Sequence, residues 1–424
     1  MRILAVIIAS LALLAPCTLS VPTVPLATVH KYAGQVKEHS YIVTLKNGVS
    51  KEDQLDWIRQ NIGNSSITHD EWRSDVLHGY AGTFHGHELD VLRANPDIQT
   101  IEEDGIMHTT ASPVTQNDAP WGLARMSQDA PIAGQNEFAT NNTYEYNNVS
   151  ASGVDVYVIG ESFESTWGTV DGRPQCLVPW VDTGIHTNHT QFDGRARWGV
   201  TFGGYPDADG AGHGTHVAGI VGSRQFGVAK SVNLIAVKVL SDQGSGTLSD
   251  IMSGINWVVN ATQMATSRRP SIINLSLGGP PADSLDNAVA AATNLGIHVV
   301  VAAGNSAMDA RSTSPARAPS ANTVGASTIG DSRAYFSNFG PAIDIFSPGL
   351  DVLSTWIGAS NATKVLSGTS MASPYVAGLL AYLLSSGENL SPSAATERLQ
   401  RWSLKGVLSD TRNDTINALA RNDV

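Results

Sequence analysis

Cysteine is almost missing from this chain: its 424 residues hold two, Cys17 and Cys176. The first lies in an apolar N-terminal run of the kind removed on export, so the exported product cannot close an internal disulfide. Stability must then come from a buried core, and a chain of this length can build one unaided. Charge is also scarce, at 15% of residues, and its balance is acidic: 26 Lys and Arg against 38 Asp and Glu, a formal charge of −12. That balance argues against general binding to nucleic acid or to an anionic membrane. No apolar run reaches the roughly 20 residues that span a bilayer comfortably. Glycine, by contrast, is plentiful at 40 residues. With so little charge, it describes a loop-rich globular protein and not a disordered one.

Met1-Arg2 followed by the apolar residues 3–17 reads as a secretory signal peptide, with Thr18-Leu19-Ser20 as a small-residue cleavage site, so residues 1–20 are assigned to it. Secretion is expected, into the medium or to a vacuole. Eight Asn-x-Ser/Thr sites begin at Asn64, Asn141, Asn148, Asn188, Asn260, Asn274, Asn361 and Asn413. Asn274 lies in an apolar run and is expected to go unused, which leaves the other seven as candidates for glycosylation.

Residues 38–110 read as a small α+β domain. Strands are expected at 40–46, 78–84 and 98–101, and helices at 52–63 and 88–93. Residues 108–118 have the polar, proline-bearing composition of a linker. From Pro120 onward, near-continuous apolar strands (154–159, 233–240, 271–276, 298–302) alternate with helical stretches (215–220, 247–262, 283–295 and the run after Ser370). That pattern predicts an α/β domain with a mainly parallel sheet covered on both faces, and function at the carboxyl ends of its strands.

Three polar motifs fall at such places. Asp182-Thr183-Gly184, taken alone, is most often a turn or a cap. His213-Gly214-Thr215-His216 puts two histidines three apart, but no matching carboxylate or cysteine set favours a metal. Gly368-Thr369-Ser370 opens an apolar helix, where free N–H groups favour developing negative charge. Together the three supply a nucleophile, a base and an acid to orient the base, because serine attacks only when a neutral imidazole takes its proton. The order Asp, His, Ser is that of subtilisin.

Asp182-Thr183-Gly184-Ile185, His213-Gly214-Thr215-His216-Val217-Ala218-Gly219 and Gly368-Thr369-Ser370-Met371-Ala372-Ser373-Pro374 resemble the subtilisin-like serine peptidases. Ala119-Pro120-Trp121-Gly122-Leu123-Ala124-Arg125, Ser337-Asn338-Phe339-Gly340 and Leu353-Ser354-Thr355-Trp356 look like its fungal proteinase K branch. The resemblance covers 114–424 apart from one insertion, and the family's inhibitory pro-domain resembles 38–110. It implies a three-layer α/β fold, a propeptide over 21–113 that acts as folding template and intramolecular inhibitor, and a peptidase domain from 114 onward.

By the same resemblance Asp182 orients His213, His213 is general base then acid, and Ser370 is the nucleophile. His216 is structural. The oxyanion hole is formed by the Asn305 side chain and the Ser370 N–H. Two backbone rails, Ser276-Leu277-Gly278 and Gly244-Ser245-Gly246, hold peptide as an added strand, and the first pocket lies between Ser276–Gly278 and Ala302-Ala303-Gly304. Its small, uncharged walls suit apolar or aromatic side chains. No cofactor is needed for the chemistry. A structural calcium is implied on Asp344 with the carbonyls of Pro319 and Ala321. Protein and peptide substrates, a monomer and a neutral-to-alkaline optimum are expected. The alternative is a peptide-binding homologue without catalysis.

Residues 160–181 depart from the family, whose strand runs directly into Asp-Thr-Gly. These 22 residues hold Cys176 and three aromatics, their edges can be coded with splice signals, and their removal restores the strand-to-Asp junction. They read as a translated, unspliced intron, or else as a surface insertion. A chain that retains them is expected to lose activity or to misfold.

Overall fold

The computed structural model describes residues 26–32, 36–62, 67–70, 72–75, 77–105, 113–132, 134, 136–147, 153–160, 183–265, 269–385, 387–388 and 390–424. The chain divides into two units, residues 1–109 and 110–424.

In the first unit strands β1 (Val29–His30), β2 (Val36–Leu45), β3 (Ile67–His69), β4 (Gly79–Thr83) and β5 (Ile98–Gly105) form one sheet, in the order β1-β5-β2-β4-β3. Helix α1 (Lys51–Asn61) follows β2 and α2 (Gly86–Arg93) follows β4. Ser50 starts α1, its hydroxyl accepting the Asp53 N–H at 3.2 Å. Leu55 and Ile58 of α1 and Leu92 of α2 bury against Val43, Leu45, Tyr80, Ile98 and Ile101. Val43 and Leu45 are two apart, so one face of β2 is apolar, as the alternation over 40–46 required. The short strands β1 and β3 add to the expected strand-helix-strand-helix-strand order.

The second unit opens with β6 (Pro113–Ala119), α3 (Trp121–Arg125) and β7 (Asn142–Asn147). Here the sequence reading needs correction: residues 113–118, taken as linker, are strand, paired antiparallel to β7 with Val114 opposite Tyr146. Gln116 also reaches the Gln225 carbonyl at 2.8 Å. Both partners are remote in sequence, so local polarity misled. Arg125, fully buried, forks onto Asp331 at 2.9 and 2.8 Å. Removing one partner of such a pair costs about 3–5 kcal/mol, because the other charge stays buried.

The remaining elements are β8 (Asp155–Gly160), β9 (Ala196–Thr201), α4 (His213–Gly222), β10 (Asn233–Lys238), α5 (Leu248–Met264), β11 (Ser271–Ser276), α6 (Asp283–Asn294), β12 (His298–Ala302), β13 (Asn322–Ser327) and β14 (Ile345–Pro348). They are followed by β15 (Val352–Thr355), β16 (Thr363–Leu366), α7 (Thr369–Leu384), α8 (Pro392–Trp402), β17 (Leu404–Lys405) and β18 (Ala418–Leu419). Nine strands form the main sheet, in the order β17-β18-β14-β13-β12-β11-β8-β10-β9. Its neighbours are parallel except at β17–β18.

Alternation along the strands divides the core. Val156, Val158, Leu234, Ala236, Ile272 and Val300 pack with Val217 and Val221 of α4 and Val376 and Leu380 of α7. Tyr157, Ile159, Ile235, Val237, Ile273 and Val299 pack with Ile251 and Ile255 of α5 and Leu285 and Val289 of α6. Each fully buried aliphatic side chain contributes about 1.5–3 kcal/mol. The result is helix, sheet and helix in three layers, the arrangement expected from strands apolar on both faces.

Candidate active site

Hydrogen bonds gather the carboxyl ends of β10, β11 and β12 with the first turns of α4 and α7. His213 is the first residue of α4 and is 1% exposed. Gly212 before it has φ 95°, and a Cβ there would fall 2.7 Å from the Trp356 ring, so only glycine fits. A Cβ at Gly214 would fall 2.1 Å from the Gly184 carbonyl oxygen, which shows how tightly the segment after Asp182 lies on α4. The His186 N–H closes the same contact by donating to Thr215 Oγ1 at 2.8 Å. Asp182 itself lies outside the described residues, as do the leader 1–20, Asn64, Asn148, Cys176 and residues 161–181.

Ser370 is the second residue of α7 and is half-buried. The helix runs on through Pro374, whose missing N–H leaves the carbonyl four residues back without its helical donor. That carbonyl belongs to Ser370 and accepts from Ser276 Oγ at 3.0 Å. The end of β11 thus grips the residue read as nucleophile. Ser276 Oγ also meets Ser373 Oγ at 2.9 Å and receives Asn274 Nδ2 at 2.8 Å.

Asn305 is exposed, three residues beyond β12, and its side chain is oriented by Thr369. The Thr369 N–H and hydroxyl both donate to Asn305 Oδ1 at 2.8 Å, and the Gly304 N–H donates to Thr369 Oγ1 at 3.1 Å. The amide oxygen is therefore occupied and Nδ2 faces away from it. A Cβ placed on Gly368 would lie 3.6 Å from Asn305 Nδ2 and 3.6 Å from Ser370 N. Two amide nitrogens, with Met371 Sδ at 3.7 Å, thus border one small space beside Gly368, where the sequence reading expects the oxyanion.

His216 is fully buried, with Nε2 3.1 Å from the Val352 carbonyl and 2.9 Å from that of Lys364, while Nδ1 has no partner. Two acceptors on one nitrogen fix the neutral Nε2–H tautomer, and burial holds the ring down to about 3. His298 on β12 is likewise held down to about 4 by burial. Both folded values lie below the ordinary one, so their contribution is complete above about pH 6.5 and is lost progressively as pH falls from there toward the folded values of about 3 and 4. The unfolding free energy of the serine-blocked enzyme, taken from urea curves in chelator, should fall between pH 6.5 and 5 with a net slope of roughly 1.4 kcal/mol per pH unit, two histidine protons taken up on unfolding against one released by Asp344. A flat profile would contradict it.

The expected first pocket has buried walls: Ser276, Leu277, Ala302 and Ala303 are each at most 3% exposed. Thr313 lies between the walls: a Cβ on Gly278 would be 3.1 Å from its Cγ2, and one on Gly304 would be 3.6 Å from its Oγ1. Asn338 secures the second wall. Its Oδ1 accepts the Ser306 and Met308 N–H groups, both at 3.1 Å, and its Nδ2 donates to the Ala303 carbonyl at 2.8 Å. Thr313 was not picked out from the sequence, and Asn338 entered only within the Ser337–Gly340 resemblance, with no role attached to it.

One rail needs correction. Gly244 has φ 93° and donates its N–H to the Ser241 carbonyl at 3.1 Å, while the Ser245 carbonyl accepts from the Ser241 N–H at 3.0 Å. These groups close a turn, so Gly244 is not part of an extended rail.

Asp344 stands just before β14, with Oδ2 accepting the Thr323 N–H at 2.8 Å. Thr323 follows the loop that carries Pro319 and Ala321. Burial pushes the Asp344 carboxyl up to about 6, opposed only by that N–H. Among the described residues no cluster of three His, Cys, Asp or Glu side chains exists, so a cation site must draw on main-chain oxygens. Of the glycosylation candidates described, Asn141, Asn188, Asn260, Asn361 and Asn413 are exposed; Asn274 is fully buried.

Comparison with known proteins identifies the families of both units. Residues 175–422 match the subtilase family and residues 40–110 match peptidase inhibitor I9. Subtilisin-like serine protease Pen c 2 of Penicillium citrinum is 43% identical over 82% of this chain and 74% of its own length. Alkaline protease 2 of Aspergillus fumigatus is 42% identical over 82% and 68%. Cerevisin of Saccharomyces cerevisiae is 42% identical over 82% and 53%. Among solved structures, a cold adapted subtilisin-like serine proteinase superposes with a TM-score of 0.60 at 41% identity, covering 72% of this chain and 99% of that one. Fold, paired donors and kinship converge on one conclusion: the chain belongs to the subtilase family, as a subtilisin-like serine endopeptidase that carries its own I9 inhibitor domain.

Proposed function

We propose that this endopeptidase is of broad specificity, with Ser370 as nucleophile, His213 as base then acid, Asp182 as the carboxylate that orients it, and Asn305 with the Ser370 N–H as the oxyanion hole. The observation that supports the reading is that Asn305 Nδ2 and Ser370 N both border the same space beside Gly368, each 3.6 Å from where a Cβ would stand. Developing negative charge there meets two fixed donors at the positive end of α7. Peptide lies along Ser276–Gly278 as an added strand, and its first side chain enters the uncharged pocket over Thr313. Across a peptide series varied at that residue, kcat/KM should favour phenylalanine, tyrosine and leucine over lysine and arginine by at least tenfold. A large preference for the basic residues would overturn the pocket reading.

The leader supports export to the medium or a vacuole, and among the described residues no helix is long and apolar enough to cross a membrane. The five exposed sequons support glycosylation, and the domain is read as a monomer. Cleavage within 110–114 releases the inhibitor. The reading of 160–181 as an insertion has support at its described ends. Gly160 pairs with Ser276 on β11. Val158 pairs with Ala236, two residues before Lys238, and Lys238 Nζ holds the Thr183 carbonyl at 2.6 Å. The chain leaves and rejoins the sheet at one end. The dominant transcript should lack these codons; their presence there would refute an intron.

Calcium fits Asp344. The buried carboxylate is disfavoured in its charged form with no cation beside it, and hard oxygen donors on loops suit this ion. When bound, calcium would tie the 319–321 loop to the start of β14. A ligand a hundredfold above its Kd adds about 2.7 kcal/mol, enough to raise Tm by several degrees. At pH 8 calcium should raise the Tm of the wild type and not that of Asp344→Asn. In chelator the variant should be no less stable than wild type, since it removes a disfavoured charge. An equal calcium response in both proteins would exclude this site.

A further inference from the structure

The residue that follows Asp182 is held from two directions, by side chains that the triad reading does not use. Lys238, fully buried at the end of β10, donates to the Thr183 carbonyl at 2.6 Å and to Asp242 Oδ1 at 2.7 Å. The Thr183 hydroxyl donates to Asp209 Oδ1. That same oxygen accepts the N–H groups of Gly212 at 2.7 Å and Ala211 at 3.2 Å. Asp209 Oδ2 accepts the Thr215 N–H at 3.0 Å and the Thr215 hydroxyl at 2.5 Å. The Gly210 N–H donates to Asp242 Oδ1 at 3.3 Å, which closes a ring through Lys238, Thr183, Asp209 and Asp242.

Gly212 has no side chain with which to cap α4, and Asp209 takes over that task from three residues upstream. The groups aimed at Asp209 donate to both of its oxygens, three of them backbone N–H groups that cannot accept. An asparagine would turn an NH₂ toward one set. The same carboxylate that caps the helix bearing His213 therefore also grips the residue next to Asp182. Catalytic groups must stand within about 0.5 Å of their working geometry, and a misplacement of 1 Å costs roughly a hundredfold.

We propose that Asp209 and Lys238 are positioning residues of the reaction: through Thr183 they clamp the Asp182 segment to the first turn of α4 and so set the register of the carboxylate against His213. The inference rests on the triad reading above.

Asp209→Asn tests it bluntly, since a lost helix cap can also unfold the chain. Thr183→Val is sharper, because it removes only the hydroxyl arm and leaves the bonds from Asp209 to α4 intact, while Thr183→Ser keeps the hydroxyl. In matured enzyme, Thr183→Val should lower kcat about ten- to a hundredfold with KM within twofold, and Thr183→Ser should restore kcat to within about threefold of wild type. The rate of labelling by a sulfonyl fluoride should fall by the same factor, with final stoichiometry still one per chain. A folded Thr183→Val enzyme with wild-type kcat and labelling rate would overturn the proposal. So would a fall in stoichiometry with the remaining sites labelled at the normal rate, which marks a purely structural role. Wild type that never labels at Ser370 would refute the triad reading and this inference with it; labelled wild type beside an unaffected variant refutes the inference alone.

Discussion

Replacing Ser370 with alanine should lower peptide hydrolysis by about 10⁶-fold, the scale known for subtilisin when its nucleophile is removed, and should leave the pro-domain attached to the purified precursor. The physical reason is that the other hydroxyls at the start of α7 are engaged elsewhere, Thr369 with Asn305 Oδ1 and Ser373 with Ser276 Oγ. The loss should appear in kcat, because the rail at Ser276–Gly278 and the pocket over Thr313 remain. A small effect is excluded if the serine forms the covalent intermediate: triad members act as a unit, and the oxyanion donors and bound peptide geometry left behind supply only 10³–10⁴-fold over water. Maturation of this variant without another protease present would refute self-cleavage while leaving the chemistry of Ser370 intact, so gel mobility and turnover should be read separately.

Asn305→Ala should lower kcat by about 10²–10³-fold with little change in KM, a cost of about 3–4 kcal/mol and the range known for the equivalent donor of subtilisin. The donor acts only when negative charge appears on the substrate oxygen, so ground-state binding is spared. Thr369 fixes the amide through two bonds to Oδ1, and the alanine variant leaves those two donors without an acceptor. Its Tm should be measured alongside kcat, because a fall in both with KM rising in proportion would assign Asn305 to loop structure. Gly368→Ala offers the complementary change. Its methyl meets Asn305 Nδ2 and Ser370 N at 3.6 Å, an ordinary contact that the fold accepts, yet it fills the space between the donors. Turnover should fall while Tm holds.

The motifs carrying the chemistry were legible because each needs particular residue types in a few adjacent positions. His213-Gly214-Thr215-His216 demands Gly214 for the approach of the Gly184 carbonyl, and Gly368-Thr369-Ser370 needs Thr369 to orient Asn305. The layers were legible from strands such as 271–276 and 298–302, which are apolar on both faces and buried throughout. What escaped depends on partners distant in the chain. β6 looked like linker because Val114 finds its partner at Tyr146. Asp209 is one acidic residue among glycines, and its five donors come from residues 183, 211, 212 and 215. Lys238 did carry a signal, as the lone charge in an apolar strand, since a buried ammonium must meet acceptors. Gly244 was misplaced because a glycine suits an extended rail and a left-handed turn equally well until its N–H is seen to be bonded.

The central claim is that one hydroxyl is made nucleophilic by one imidazole, and peptide mapping of matured enzyme after reaction with a serine-directed phosphonyl fluoride tests it most directly. The account requires one label per chain, on Ser370, with the label absent in His213→Ala under the same conditions. A label on any other residue, or equal labelling of Ser370 with alanine at 213, would contradict it.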